Sequence, residues 1–350
     1  MQSRSRLMAE VLAGAWRAAL PLRLEISARQ LDDLTPLLLE SGVAALAWRR
    51  LQHSDARASE ATAQLEQAYR LHTLQAAVHE RAIRRVLTRL RAAGIEPVLV
   101  KGWAIARMYA EPGLRPYGDI DLCVHPVQYE AAKVALSDEA LKRYDVDLHR
   151  GFIKLDERGW DELHSRSQLF KLDDAEVRTP GPEDHLRILC FHFLREGAWR
   201  PLWLCDIAVA LEHLGPTKFD WELMMGASRK RRDWYACAII LAHRLLGAVV
   251  EGVPAWVMAK RLPGWFVPTV LREWERRSMR SRYRSPMTRA RHVPIETLKN
   301  LRYHWPNAIE GTIGVRGPFN DLPRLPFQAG NCILRTADFL LRLPKTQGRS

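Results

Sequence analysis

Two short stretches are the most informative about the fold. They are Val98-Leu-Val-Lys-Gly-Trp103 and, after eleven intervening residues, Arg115-Pro-Tyr-Gly-Asp-Ile-Asp-Leu-Cys-Val124. In the second stretch Asp119, Asp121 and Cys123 alternate with apolar residues. Alternate side chains of a β-strand lie on the same face of a sheet, so the two carboxylates are predicted to be neighbours on one strand. Like charges in an apolar setting are costly unless a cation lies between them, and a divalent metal with oxygen ligands is the usual cation.

The first stretch predicts a strand that ends in a turn. Its apolar residues lead into Lys101-Gly102, and a helix is expected from Trp103 to about Ala110. Glycine allows the backbone to approach a phosphate closely, and lysine supplies a point charge. The two stretches together therefore favour a site that holds metal ions and phosphate.

A third strand is predicted over Tyr144–His149, where Asp145, Asp147 and His149 share one face. Either aspartate could join the pair on the preceding strand, and the alternation leaves the choice between them open. We expect His149 to be a packing or supporting residue and not a metal ligand.

These motifs, in this order, resemble the nucleotidyltransferase superfamily. They are Lys101-Gly102, then Arg115…Gly118-Asp119-Ile-Asp121-Leu, then Val146-Asp-Leu-His149. The nearest branch is that of the uncharacterised nucleotidyltransferases, which are found in bacterial biosynthetic gene clusters. The resemblance is strong over residues 75–150 and looser to about residue 250. Many superfamily members have Gly-Gly or Gly-Ser at the turn, whereas this chain has Lys-Gly, as its nearest branch does.

The resemblance implies an enzyme that moves a nucleoside monophosphate from a nucleoside triphosphate, with ATP as the expected nucleotide, to a hydroxyl or phosphate of a small-molecule, peptide or glycan acceptor. It implies Asp119, Asp121 and Asp147 as the catalytic residues and as the ligands of two Mg²⁺ ions, with Asp147 preferred to Asp145 because Val146 and Leu148 flank it. It also implies that Lys101, Gly102 and Arg115 bind the nucleotide, where Arg115 would contact the phosphates or brace the acids. Asp206, in the following helical region, is expected to cap a helix or to form a buried pair.

The fold class that these patterns predict is α+β, with a small mixed sheet backed by helices. The expected segments are an N-terminal helical segment (1–70), a nucleotidyltransferase-like catalytic domain (71–175), a helical domain (176–255) and a basic C-terminal region (256–350). Apolar residues recur every fourth position from Leu74 to Leu90, which predicts a long helix that ends at Gly94.

The composition is that of an ordinary globular protein, with 47% hydrophobic and 27% charged residues in a chain of 350. No apolar run reaches the roughly 18 residues that a membrane-spanning helix needs, and charged residues interrupt the first segment, which argues against a signal peptide. The five cysteines show no metal or disulfide spacing and indicate reduced thiols. We therefore expect a cytoplasmic protein, with a membrane-peripheral position as the alternative.

The positive charge is concentrated at the C-terminal end. Residues 251–350 contain 18 lysines and arginines against seven acids, a net charge of +11 in a chain whose total is +13. Such asymmetry suggests contact with a polyanion or an anionic membrane surface, although a solubilising surface would have the same composition. The alternative function is therefore a catalytically silent module of the same fold, whose basic region holds an anionic partner. The intact acids argue against that alternative, and no aromatic-rich basic motif supports RNA binding.

Overall fold

The computed structural model describes residues 3–20, 24–52, 54–152, 155–214, 219–276 and 305–342. The helices of these ranges are α1 Arg4–Leu12, α2 Ala28–Glu40, α3 Ala44–Leu51, α4 Glu60–Ala92, α5 Trp103–Ala106, α6 Tyr129–Leu136, α7 Trp160–Ser165, α8 Pro182–Arg195, α9 Pro201–Glu212, α10 Trp221–Met225, α11 Arg229–Leu246, α12 Ala255–Met258, α13 Phe266–Glu275, α14 Ala308–Gly314 and α15 Leu325–Arg342. The strands are β1 Val98–Leu99, β2 Ile120–Val124, β3 Val146–Arg150, β4 Gln168–Leu172 and β5 Ala175–Thr179.

The central sheet is small and mixed, as the sequence predicts. β2 lies in the middle, antiparallel to β1 and parallel to β3. A separate antiparallel hairpin is formed by β4 and β5. The α+β fold class is therefore confirmed.

The alternation along β2 separates two faces of the sheet. Ile120, Leu122 and Val124 are buried against the apolar side of α4 and against α6. Cys123 lies on the opposite face, in a small core that includes Ile188 of α8. The face that bears the acid of β2 is therefore the face that α8 covers.

Helix α4 backs the sheet over much of its length. The Ser59 hydroxyl caps its start by accepting the N–H of Thr62, and the helix ends at Ala92, just before Gly94 at φ +73°. The left-handed conformation of Gly94 is a usual helix stop and was expected at this position. Residue 70, the predicted boundary between the first two segments, falls inside this continuous helix, and the segment boundaries stay predictions.

Most of the larger core is helical. α1, α2 and α3 pack with α8, α9, α11 and α13 around one cluster of buried apolar side chains. α9 contributes an almost continuous buried run from Leu204 to Leu211. This helical layer lies beside the β1–β2–β3 sheet, and its helix α8 contributes Ile188 to the small core on one face of that sheet.

The basic C-terminal region is only partly within the described ranges. Ten of the 18 lysines and arginines of residues 251–350 fall in residues 277–304 and 343–350, outside those ranges. Within this region, α15 (Leu325–Arg342) is an amphipathic helix. Of the helices that the described ranges contain, none is both long and apolar enough to cross a membrane.

Candidate active site

The parallel pairing of β2 with β3 brings two predicted acids together. Asp121 is the register partner of Asp147. Asp121 is buried, with 2% of its surface exposed, whereas Asp147 is exposed at the edge of the sheet. A buried carboxylate beside an accessible one is suited to hold a ligand that enters from solvent.

His149 completes this cluster. Its Nε2 lies 3.3 Å from Oδ1 of Asp121 and 3.2 Å from Oδ2 of Asp147. The three potential ligand atoms all lie within 4.8 Å of one another. Two carboxylate oxygens and one imidazole nitrogen at this separation fit a divalent cation.

The sequence interpretation did not assign this role to His149. The available signal was its position two residues after Asp147, which puts both side chains on one face of β3. A histidine on a strand is more often a packing residue, so this position by itself does not predict a metal ligand. Its Nδ1 is buried and has no hydrogen-bond partner in the described part of the chain.

Asp119 lies beside the cluster but is not part of it. β2 begins at Ile120, so the prediction that Asp119 belongs to the strand is wrong by one residue. The residue is exposed, yet neighbouring atoms desolvate its carboxylate. That desolvation, together with the negative charge of Asp121, raises the pKa of Asp119 above its usual value.

Asp145, the competing third acid, is exposed and precedes β3. Its backbone carbonyl accepts the N–H of Ile120 at 2.8 Å, which aligns the two strands. Its carboxylate is not in the cluster that contains Asp121, Asp147 and His149. The geometry therefore favours Asp147 as the third acid.

Lys101 contacts the buried acid directly. Its Nζ lies 2.5 Å from Oδ1 of Asp121. The turn that carries it is held by the N–H of Val100, which donates to the carbonyl of Asp121 at 3.1 Å. The lysine that was expected at the phosphates is thus beside the metal-ligand cluster.

The charge of Asp121 is stabilised by these neighbours. Burial by itself would raise the pKa of this carboxyl group. The hydrogen bond from His149 and the charge of Lys101 outweigh that effect and hold the pKa of Asp121 at about 2. Asp121 is therefore ionised across the physiological range of pH.

Gly102 is required by the backbone of the turn. Its φ is +59°, a conformation that residues with a Cβ rarely adopt, and an added Cβ would lie 3.4 Å from the carbonyl oxygen of Asp119. The helix that follows, α5, ends at Ala106, so the prediction of a helix to Ala110 is wrong. A single helical turn contributes only a weak dipole at this position.

Arg115 is buried and forms an ion pair with Asp206 of α9. Its Nη2 donates to Oδ2 at 2.9 Å, and its Nε donates to Oδ1 at 3.2 Å. The hydroxyl of Tyr109 donates to the same Oδ1 at 2.8 Å. The expected buried pair of Asp206 is confirmed, and the guanidinium of Arg115 is held by it, next to the segment that leads into Asp119.

Comparison with known proteins gives one match. The model of a family described as uncharacterised nucleotidyltransferases matches residues 27–247 of the chain. No curated protein and no solved structure gives a significant match. Since the matched region covers more than half of the chain, including the sheet, the acids and α9, the chain belongs to the uncharacterised nucleotidyltransferase family.

Proposed function

We propose that this chain is a Mg²⁺-dependent nucleotidyltransferase that moves a nucleoside monophosphate from a nucleoside triphosphate, with ATP as the expected nucleotide, to a hydroxyl or phosphate of an acceptor. Small molecules, peptides and glycan precursors are the acceptor classes that this chemistry admits. The observation that carries the proposal is the register of β2 with β3, which brings Asp121, Asp147 and His149 together beside Lys101.

The donor set fits a divalent metal. Asp119 and Asp121 would hold the ion that also binds the phosphates of the nucleotide. Asp121 and Asp147 would hold a second ion on the acceptor side, where His149 would add a nitrogen ligand. Two bound Mg²⁺ ions would neutralise the phosphate charge and lower the pKa of the acceptor hydroxyl. Mn²⁺ is also a suitable ion, because the carboxylate ligands that suit Mg²⁺ suit Mn²⁺ as well.

The protein's own groups would position the reactants. Lys101 would turn from Asp121 to a phosphate oxygen when a cation takes its place at the carboxylate. Gly102 would allow the backbone to approach the phosphates, and Arg115 would keep the segment before Asp119 in place through Asp206. Catalysis of this kind depends mainly on positioning and on charge neutralisation.

The transfer step is a displacement at phosphorus. The acceptor oxygen forms a bond to the α-phosphorus, and the bond from that phosphorus to the oxygen bridging the β-phosphate breaks. The bridging oxygen leaves with pyrophosphate. Asp147, exposed at the edge of the site, would receive the proton of the acceptor hydroxyl.

Calorimetric titration of ATP in the presence of Mg²⁺ tests the site. We expect Asp121→Asn to abolish metal-dependent nucleotide binding, because it removes the buried ligand without changing the shape of the side chain. Asp138→Asn, an exposed aspartate outside the cluster, is the matched control and should bind as the wild type does. Equal binding by wild type and Asp121→Asn would contradict the assignment.

We also propose that α15 contacts an anionic membrane surface. This helix exposes several large apolar side chains, each more than half accessible, namely Leu325, Ile333, Leu334 and Leu341. Apolar side chains that basic residues flank would allow the helix to lie on an anionic membrane surface. The enzyme would then be a cytoplasmic protein that works at the membrane surface. The five free cysteines support the cytoplasmic location, because thiols stay reduced in that compartment.

A further inference from the structure

A groove runs along the outer side of α4, apart from the proposed active site. It lies between the C-terminal half of α4, the segment that follows α6 and the turn of the β4–β5 hairpin, and its volume is about 1110 Å³. We call it the arginine groove. The arginines of α4 that line it are Arg81, Arg84, Arg85, Arg89 and Arg91.

The arginine groove and the acid cluster lie on opposite sides of the central sheet. The buried side of α4 packs on the face of β2 that bears Ile120, Leu122 and Val124. Asp121 belongs to the other face of the same strand, because it alternates with those residues. A partner bound in the groove would therefore leave the acid cluster open.

Three of the arginines form an exposed row along the groove. Arg81, Arg85 and Arg89 are all exposed, and each is four residues from the next. Residues at this spacing lie on one side of a helix, about 6 Å apart along its axis. The row therefore presents three guanidinium groups at a regular interval.

The chain itself provides carboxylates for the other two arginines of the groove. Arg84 pairs with Asp174 in the turn of the hairpin at 2.6 Å. Arg91 binds Glu96 through two hydrogen bonds of 2.8 Å each. These ion pairs hold the walls of the groove in place and leave the exposed row as its unneutralised part.

The exposed row has little compensation from acids. Within the described ranges, no carboxylate lies at ion-pair distance from Arg81 or Arg85, and Arg89 reaches Asp138 only at 3.7 Å. Arg85 donates one hydrogen bond, from Nη1 to the hydroxyl of Tyr144 at 3.1 Å. Most of the donors of the row therefore remain for the anionic groups of a partner.

We propose that the arginine groove binds an extended acidic segment of a partner protein. A guanidinium matches the two oxygens of a carboxylate. Alternate side chains of an extended chain lie on one side about 6.6 Å apart, which is close to the spacing of the row. The groove is also lined by Ala140, Leu141 and Ala175, against which the aliphatic parts of such a segment can pack.

The acids of the groove favour a peptide over a nucleic acid. Asp138, Asp174 and Glu176 line the same groove as the arginines. A nucleic acid strand has a negative charge on every nucleotide and would bring phosphates against these carboxylates. A peptide can place its acidic residues at the row and neutral or basic residues at the carboxylates, which gives a complementary charge pattern.

Fluorescence anisotropy of a labelled peptide of alternating glutamate and alanine tests the proposal. We expect the wild type to bind this peptide at low salt and to lose affinity at high salt, because exposed charges are screened. The combined variant Arg81→Gln, Arg85→Gln and Arg89→Gln should weaken binding on the order of 10-fold, since three exposed charge contacts are lost.

Two further variants separate the groove from the net charge of the protein. The control loses the same charge at three exposed arginines elsewhere and should bind as the wild type does; its changes are Arg70→Gln, Arg244→Gln and Arg272→Gln. Ala140→Trp fills the groove at an exposed position without removing any charge, and it should weaken peptide binding as the groove variant does. The melting temperature of each variant checks that it is folded.

The outcomes are distinct from those of the proposed function. Mg²⁺-ATP binding should be unchanged in the groove variant, because the sheet lies between the groove and the acids. Equal losses in the groove variant and the control would indicate general charge attraction and would overturn the proposal, as would wild-type affinity in Ala140→Trp. Tighter binding of an oligonucleotide of equal charge through the same arginines would make a nucleic acid the occupant. A wild type that does not bind the peptide at low salt would also overturn the proposal.

Discussion

Asp121 is the residue on which the site depends most. It is buried, its carboxylate contacts Lys101 and His149, and its backbone carbonyl holds the turn of Lys101. The lowered pKa of Asp121 implies that its ionised carboxylate stabilises the folded state, because the group binds its proton less tightly there than in the unfolded chain. Two predictions concern single residues of the site, Asp121 and Asp147.

The first concerns acid stability. The folded pKa of Asp121 is about 2, below the ordinary value of 3.8, so its stabilising contribution is complete above about pH 4 and is lost as the pH falls through about 2. The expected contribution is about 2 kcal/mol. Urea unfolding from pH 5 to pH 2 should show a steeper loss in wild type than in Asp121→Asn. Parallel curves would mean that the charge of Asp121 is not stabilised as described.

The second prediction separates the two candidates for the third acid, Asp147 on β3 and Asp145 just before it. Asp147→Asn should bind nucleotide nearly as the wild type does but lose transfer by roughly 10²–10⁴-fold, the range for a missing general base. Asp145→Asn is the matched control, because Asp145 is two residues from Asp147 and its carboxylate is outside the cluster. Release of pyrophosphate is the measurement. Loss of transfer in Asp145→Asn, with Asp147→Asn active, would reverse the assignment.

At the scale of elements, the alternation along β2 and β3 predicted correctly which residues share a face. It did not reveal that these two strands are parallel or that Asp121 lies opposite Asp147, because strand direction and register depend on contacts between segments distant in sequence. The overlong prediction for α5 has a local cause. The segment after Trp103 has helical composition, but the chain leaves the helix at Ala106 to reach the turn at Pro112-Gly113.

The next prediction concerns the membrane contact of α15. Ile333→Asp combined with Leu334→Asp should reduce sedimentation with anionic vesicles at low salt, because the changes put negative charge on the proposed membrane face. Val134→Asp, on the exposed side of α6, is the control and should sediment as the wild type does. Neutral vesicles should bind neither. If the wild type fails to bind anionic vesicles even at low salt, the membrane proposal is wrong.

At the scale of the whole molecule, the ion pair of Arg115 with Asp206 joins the segment before β2 to the helical layer. Both side chains are buried, with 8% and 1% of their side-chain surfaces exposed. Removing one partner leaves the other charge buried without compensation, which is more costly than removing both. The pair therefore couples the position of the segment before Asp119 to α9.

A double-mutant cycle measures this coupling. Arg115→Met should lower the free energy of unfolding by about 3–5 kcal/mol, and Asp206→Leu should do the same. The double variant should recover much of the loss, since an apolar pair replaces the ion pair. Urea unfolding of the four proteins gives the interaction energy. Additive losses in the double variant would show that the two side chains act independently.

Local periodicity, turn residues and a motif of fixed order are enough to predict the α+β class, the strand faces, the stop of α4 near Gly94 and the family. The partners of the charged side chains depend on packing instead. Packing brings His149 next to Asp121 and Asp147, pairs Arg115 with Asp206 and places Lys101 against Asp121. Each of these depends on how the helical layer and the parallel strands meet. Such contacts join residues far apart in the chain, and no local pattern encodes which charged side chain finds which partner.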